Sequence, residues 1–149
     1  VTLVPVTVPL ARAIVAGDLS GVDAAPGWPH ADTLDALRPV AESGVADGSF
    51  LIADEGRVVG DCGWFGPPDP EGTVEIGYGL SPAFRRRGLG TAAVRSLLEW
   101  VEAQEGVTRV TARIEATNVA SRRLIERLGF TVCGTAGKDV VYERFASRT

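Results

Sequence analysis

Ser81-Pro82-Ala83-Phe84-Arg85-Arg86-Arg87-Gly88-Leu89-Gly90-Thr91 is the stretch on which the fold turns. An apolar strand pattern, Thr73–Leu80, runs into it, and a helical pattern runs out of it from about Gly88 to Gln104. Glycines let main chain approach a ligand with no Cβ in the way. The first amides of a helix have no intrahelical partner, and the helix dipole places positive potential there. Strand, Arg/Gly loop and helix N-terminus together have the makings of a phosphate cradle built mostly from backbone. The same spacing also describes a turn with a basic exposed tip, since a lone glycine pattern is weakly specific.

Outward from that loop the periodicities are clear. Leu89, Ala93, Val94, Leu97, Leu98 and Val101 form one buried helical stripe, and Gly106 ends the helix. Val107–Ile114 reads as the next strand, so a strand–helix–strand unit with parallel pairing and a right-handed crossover is expected. Ligands of such units sit in the crevice at the carboxyl ends of the strands. Within Thr73–Leu80, Val74, Ile76, Tyr78 and Leu80 share one face; Thr73, Glu75, Gly77 and Gly79 share the other. Two missing side chains and one carboxylate on that second face mark either a close-approaching ligand or an ordinary exposed face.

The N-terminal half reads as a strand at Thr2–Val8 with Pro5 indicating an edge, a short helix at Leu10–Ala16, a loop at Gly21–His30 and a helix to about Ala46 capped by Asp32 or Thr33. Ser49–Asp54 and Arg57–Phe65 form a hairpin around Glu55-Gly56, and with the neighbouring strands an antiparallel meander. After the parallel unit come a helix at Asn118–Leu128, capped by Thr117 or Asn118, a Schellman end at Gly129 and Phe130, and strands at Phe130–Gly134 and Val140–Phe145.

With 149 residues, 45% of them apolar, and no linker or repeat, residues 1–149 are expected to form a single domain. A formal charge of −4 argues against general binding of nucleic acid or membrane surfaces; Arg85-Arg86-Arg87 suits a small polyanion better than a long one. No apolar run is long enough to span a bilayer, and no secretory signal is visible. Cys62 and Cys133 fall in strand patterns without a CxxC or histidine nearby, so two buried reduced thiols and a cytoplasmic location are expected, with no metal site. His30 is the sole histidine, and no Gly-x-Ser-x-Gly elbow is present.

Arg85-Arg86-Arg87-Gly88-Leu89-Gly90 fits the Gln/Arg-x-x-Gly-x-Gly/Ala signature of the GNAT superfamily of acyl-CoA-dependent N-acetyltransferases. The flanking EIGYGLSPAFRRRGLGTAAVRSLLEW and ATNVASRRLIERLGF resemble its ribosomal-protein N-terminal acetyltransferase-like branch. The likeness is close over the C-terminal half. It implies an α/β fold: a mixed, mostly antiparallel sheet of six to seven strands with about four flanking helices, splayed between Thr73–Leu80 and Val107–Ile114. Acetyl-CoA would lie in the splay, its pantetheine paired with backbone near Ile76, Tyr78 and Leu80. Its pyrophosphate would take amides from Arg85, Arg86, Arg87, Gly88, Leu89, Gly90 and Thr91. Asn118 matches the family's asparagine beside the thioester and pantetheine arm, with Ser121 one turn further on.

The implied reaction is attack of a primary amine on the thioester within a ternary complex, where proximity supplies much of the rate. Glu75 is the candidate base, or else a strand carboxylate that orders nearby backbone; Ser121 is the candidate acid, or else a helix serine bonded back to a carbonyl. A backbone N–H near Tyr78 is the expected oxyanion donor. The sequence departs from other branches of the family at Ile125, where several carry a tyrosine acid, and at Arg113, where some carry a glutamate base. Trp28, His30 and Trp64 are candidates for the wall of the acceptor site, or plain packing. The acceptor is expected to be a small-molecule amine or a peptide or protein N-terminus, and a homodimer is compatible with the C-terminal edge strands. A non-catalytic acyl-CoA-binding module on the same fold is the alternative. A P-loop and a dinucleotide site are disfavoured by the missing Gly-Lys-Ser/Thr and downstream acid.

Overall fold

Turn chemistry sets the order of the first strands. Glu55 and Gly56 both take positive φ, 52° and 81°, the geometry of a two-residue hairpin turn. They join β2 (Ser49–Asp54) to β3 (Arg57–Trp64), and β1 (Thr2–Pro5) and β4 (Thr73–Leu80) add antiparallel on either side. β5 (Arg109–Glu115) then pairs parallel to β4, and β7 (Asp139–Phe145) and β6 (Thr131–Ala136) complete a seven-stranded sheet in the order β1-β2-β3-β4-β5-β7-β6. A computed structural model provides this architecture and describes residues 1–81, 84 and 88–146. Arg85, Arg86 and Arg87, expected at the pyrophosphate, lie outside the described residues.

Four helices flank the sheet: α1 (Val8–Val15), α2 (Ala31–Ser43), α3 (Leu89–Ala103) and α4 (Val119–Arg127). On one face α3 and α4 cover the larger core. Ala93, Val94, Leu97, Leu98 and Val101 of α3 and Ile125 of α4 are almost wholly buried against Ile76, Val110, Ala112 and Tyr142. Each large apolar side chain so buried contributes roughly 2 kcal/mol. On the other face α1 and α2 pack through Ala11, Ile14, Leu37 and Val40 onto Leu51 and Val58, over the β1–β3 half. On that face of β4, Gly79 lies beneath His30, the residue that caps α2.

Several boundaries differ from expectation, each for a local reason. β1 stops at Pro5 because Thr7 caps α1, its Oγ1 accepting the Leu10 amide at 3.3 Å. Neither Asp32 nor Thr33 caps α2. The N-cap is His30, whose amide donates to Thr33 Oγ1. α2 ends at Ser43 because Gly44 turns left-handed, φ 72°. Cys62 is buried as expected, but Cys133 is exposed, because β6 is an edge strand whose residues face solvent. Arg122 and Glu126 stand one turn apart on α4. The buried Tyr142 hydroxyl lies between them, accepting from Arg122 Nε at 3.0 Å and donating to Glu126 at 2.6 Å. The Schellman end is as expected: the Phe130 amide bonds the Ile125 carbonyl and the Gly129 amide bonds that of Glu126.

Candidate active site

The β4–β5 ladder is short. It runs from Thr73↔Arg109 to Ile76↔Ala112 and stops, although β4 continues to Leu80 and β5 to Glu115. Beyond Ile76, β4 stays with β3 (Gly77↔Gly63 to Leu80↔Gly60), while β5 stays with β7 (Arg113↔Val141 to Glu115↔Asp139). Each strand keeps its antiparallel partner, and a wedge opens between them. Tyr78 stands on the α3/α4 side of this wedge and Gly77 and Gly79 on the other.

The two glycines at the start of α3 serve different ends. Gly88 is the N-cap, left-handed at φ 75°; among the described residues no side chain caps the first amides and nothing lies within 4 Å of where a Cβ would be. Gly90 is buried; a Cβ there would lie 2.8 Å from Leu124 Cδ1 and 3.2 Å from Leu80 Cδ1. Its missing side chain lets α3 and α4 approach each other. Leu89 and Thr91 are half-buried in the same first turn.

α4 brings its own first turn to the wedge. Asn118 caps it, Oδ1 accepting the Ser121 amide at 3.2 Å. Ser121 Oγ lies 2.7 Å from the Tyr78 hydroxyl, whose single proton can go to Ser121 Oγ or, at 3.2 Å, to the Ser121 carbonyl. Burial pushes the Tyr78 phenol up to about 12, the bond to Ser121 opposing it. The pair therefore stays neutral at physiological pH and offers hydroxyl protons. Ser121 stands out in the sequence and the Tyr78 side chain does not: the phenol's reach across to α4 spans 43 residues of chain and leaves no local signal.

Glu75 lies on the opposite face from Tyr78, paired across the ladder with Thr111. Its carbonyl accepts the Phe65 amide at 2.8 Å. The Phe65 ring covers Gly77, 3.2 Å from a Cβ placed there, whereas above Gly79 the nearest atom is His30 Nδ1 at 3.9 Å. The roomier part of this face is thus at Gly79.

A carboxylate absent from the sequence-level candidates stands beside that opening. Asp61 pairs with Gly79 across the β3–β4 ladder. Its Oδ2 accepts from Trp28 Nε1 at 2.9 Å and from Thr33 Oγ1 at 2.5 Å. Burial raises its carboxyl above the ordinary 3.8, and Asp32 adds to this; the Thr33 and Trp28 bonds and His30 act against it. His30 Nε2 is buried without a partner. Of the three expected wall residues, His30 stands over Gly79. Trp28 is 4% exposed, a core side chain whose N–H anchors Asp61. Trp64 belongs to the other face, stacked edge-on against Trp100 at 4.8 Å; strand parity sends it there, since it pairs with Ile76. The signal for Asp61 was a lone charge within an apolar strand.

A raised carboxyl binds its proton more tightly in the fold than in the open chain. Its contribution to stability is therefore largest below 3.8 and declines as pH climbs through the raised folded value. Asp61→Asn keeps an oxygen for both donors and removes the titration. Thermal melts should show the variant gaining on the parent protein as pH rises through that window, then a constant offset. An offset that shrinks with pH would mean that the hydrogen bonds outweigh the desolvation.

Among the described residues no group of three or more His, Cys, Asp or Glu could hold a metal, and no helix is long and apolar enough to cross a membrane. A family model described as an acetyltransferase (GNAT) domain matches residues 10–131. The uncharacterised N-acetyltransferase YjdG of Bacillus subtilis is 34% identical over 111 residues, 69% of this chain and 66% of that protein. The chain spans two thirds or less of the curated relatives it matches. Among solved structures, a GNAT-family acetyltransferase of Streptococcus pneumoniae superposes with a TM-score of 0.68 at 13% identity, covering 98% of this chain and 99% of that one. Mycobacterium smegmatis RimJ in complex with CoA-disulfide does so with a TM-score of 0.66 at 21% identity, covering 97% and 81%.

Proposed function

The chain belongs to the GNAT acetyltransferase family, and on that premise we propose that it moves an acetyl group from acetyl-CoA to a primary amine while both are bound. The observation that carries this reading is the wedge where β4 leaves β5 after Ile76, with an uncapped helix start at Gly88 beyond it. A pantetheine arm is a narrow chain of amides, and glycine-thinned backbone with no second strand on it is what such a chain pairs with. A diphosphate suits free helix amides. The CoA-bound relative supports the donor.

Acetyl-CoA supplies the activated thioester. In the transfer an N–C bond forms and the C–S bond breaks; one proton leaves the nitrogen and the sulfur ends as a thiol. The backbone of Ile76, Tyr78 and Leu80 binds the arm, and the amides of Gly88, Leu89, Gly90 and Thr91 the diphosphate, with Arg85, Arg86 and Arg87 adding charge. Asn118 orders the α4 turn that presents Ser121. With the Tyr78 proton on Ser121 Oγ, the Ser121 O–H is free to donate a hydrogen bond to the leaving sulfur. Glu75, on the opposite face, takes the proton of the amine, directly or through water.

A screen of amines with thiol release as readout tests the whole reading; acetyl-CoA binding without turnover on any amine would leave a non-catalytic binding module. For the base, Glu75→Gln is expected to lower kcat about ten-fold at neutral pH and much less in alkali, where the amine is already free. Equal loss at every pH would remove Glu75 from that role.

A further inference from the structure

Asp61 has one oxygen spoken for and one not. Trp28 and Thr33 both donate to Oδ2, and among the described residues no hydrogen bond or ion pair ends on Oδ1. Burial takes from the charged carboxylate solvent stabilisation that a counter-charge or further donors restore. Thr33 is itself fully engaged, accepting from the His30 amide while donating to Asp61. The carboxylate is thus held rigidly on one side. Next to it His30 lies over Gly79, its Nε2 buried and unpartnered. Asp61, level with Gly79, and His30, whose Nδ1 lies 3.9 Å from a Cβ placed there, flank the roomier part of this face of β4, and Asp32 adds negative potential.

Distance separates Asp61 from the proposed base. Asp61 is level with Gly79, and Glu75 lies four residues back along β4, about 13 Å at the usual rise per residue. A cation on Asp61 is then not the nitrogen that Glu75 deprotonates. We propose that Asp61 Oδ1 binds a second ammonium group of the acceptor, in the space that His30 borders over Gly79, so that the preferred substrates are diamines and longer polyamines. This rests on amine acetylation in the wedge as read above. Asp61 is here a specificity residue: it supplies the counter-charge for one end of the acceptor and sets how far the other end reaches.

The test is calorimetric titration of the CoA-saturated protein with cadaverine, spermidine and hexylamine; hexylamine is cadaverine with one amino group replaced by methyl. Cadaverine or spermidine should bind at least about ten-fold tighter than hexylamine, as a charge-assisted contact requires. Asp61→Asn should erase that preference. Equal binding of all three by the parent protein overturns the proposal, whatever the variant does. So does a preference that survives in Asp61→Asn. Should that variant not fold, Asp61→Glu, which shifts the carboxylate by one methylene, serves the same comparison. Thiol release is read separately: polyamines that bind through Asp61 yet are never acetylated would leave this site standing and refute the transfer reaction.

Discussion

Gly88→Trp is expected to weaken acetyl-CoA binding at least about 100-fold by calorimetry while the protein remains folded. The size follows from the contacts at stake: hydrogen bonds from amides to a charged group are worth roughly 1.5–3 kcal/mol each, and losing two reaches that factor. Folding survives because, among the described residues, nothing lies within 4 Å of a Cβ at Gly88, so the indole meets none of them in front of α3. What folding loses is the left-handed backbone, φ 75°, at roughly 1–2 kcal/mol for a non-glycine residue. Gly17 supplies a matched control, since it too is left-handed, φ 86°, with open space around it, and stands at the far end of α1. Gly17→Trp should lower the melting temperature similarly and leave affinity alone. If the two variants bind acetyl-CoA equally, the start of α3 does not hold the diphosphate. Gly90→Trp makes a poor test, because its side chain would collide with Leu124 and Leu80, and lost binding would report helix packing.

The contrast between those glycines shows what a sequence can convey. Their spacing marked a strand–loop–helix junction, because hydrophobic period and glycine placement are local and the structure obeys both. Thr73–Leu80 was bounded correctly, the buried stripe of α3 is as read, and the Schellman end of α4 follows from Gly129. Parity placed Glu75 and Tyr78 on opposite faces, since no bulge interrupts β4. What stayed hidden depends on which distant elements meet. Asp61 acquires meaning only when α2 lays Thr33 and the preceding loop lays Trp28 upon it, 28 and 33 residues away in the chain. Trp64 lies on the α3/α4 face, a direction that an aromatic residue does not show until its strand register is fixed. The His30 cap was missed because histidine is not a residue that usually caps, and Asp32 and Thr33 beside it are.

The hydroxyl pair across the wedge carries the other large effect. Ser121→Ala and Tyr78→Phe should each lower kcat about 100-fold, the usual consequence of deleting a donor at an active centre, with little change in acetyl-CoA affinity. The double variant should be scarcely worse than either single one, because each hydroxyl is positioned by the other over 2.7 Å and removing one disables both. If Tyr78 merely braces α4 against β4, Tyr78→Phe lowers the melting temperature and spares kcat. If Ser121 acts alone, the losses add. The pH profile separates this pair from the carboxylate on the far face. With the phenol pushed up to about 12, neither hydroxyl ionises near neutrality, so the loss in Tyr78→Phe should be flat with pH. The loss in Glu75→Gln should fade as the solution itself deprotonates the amine. Two profiles of different shape, one from each side of the splayed strand, would assign hydrogen-bond donation to the α4 side and proton removal to the side facing α2. Identical shapes would mean that both variants disturb one common step, and that the division of labour across β4 is wrong.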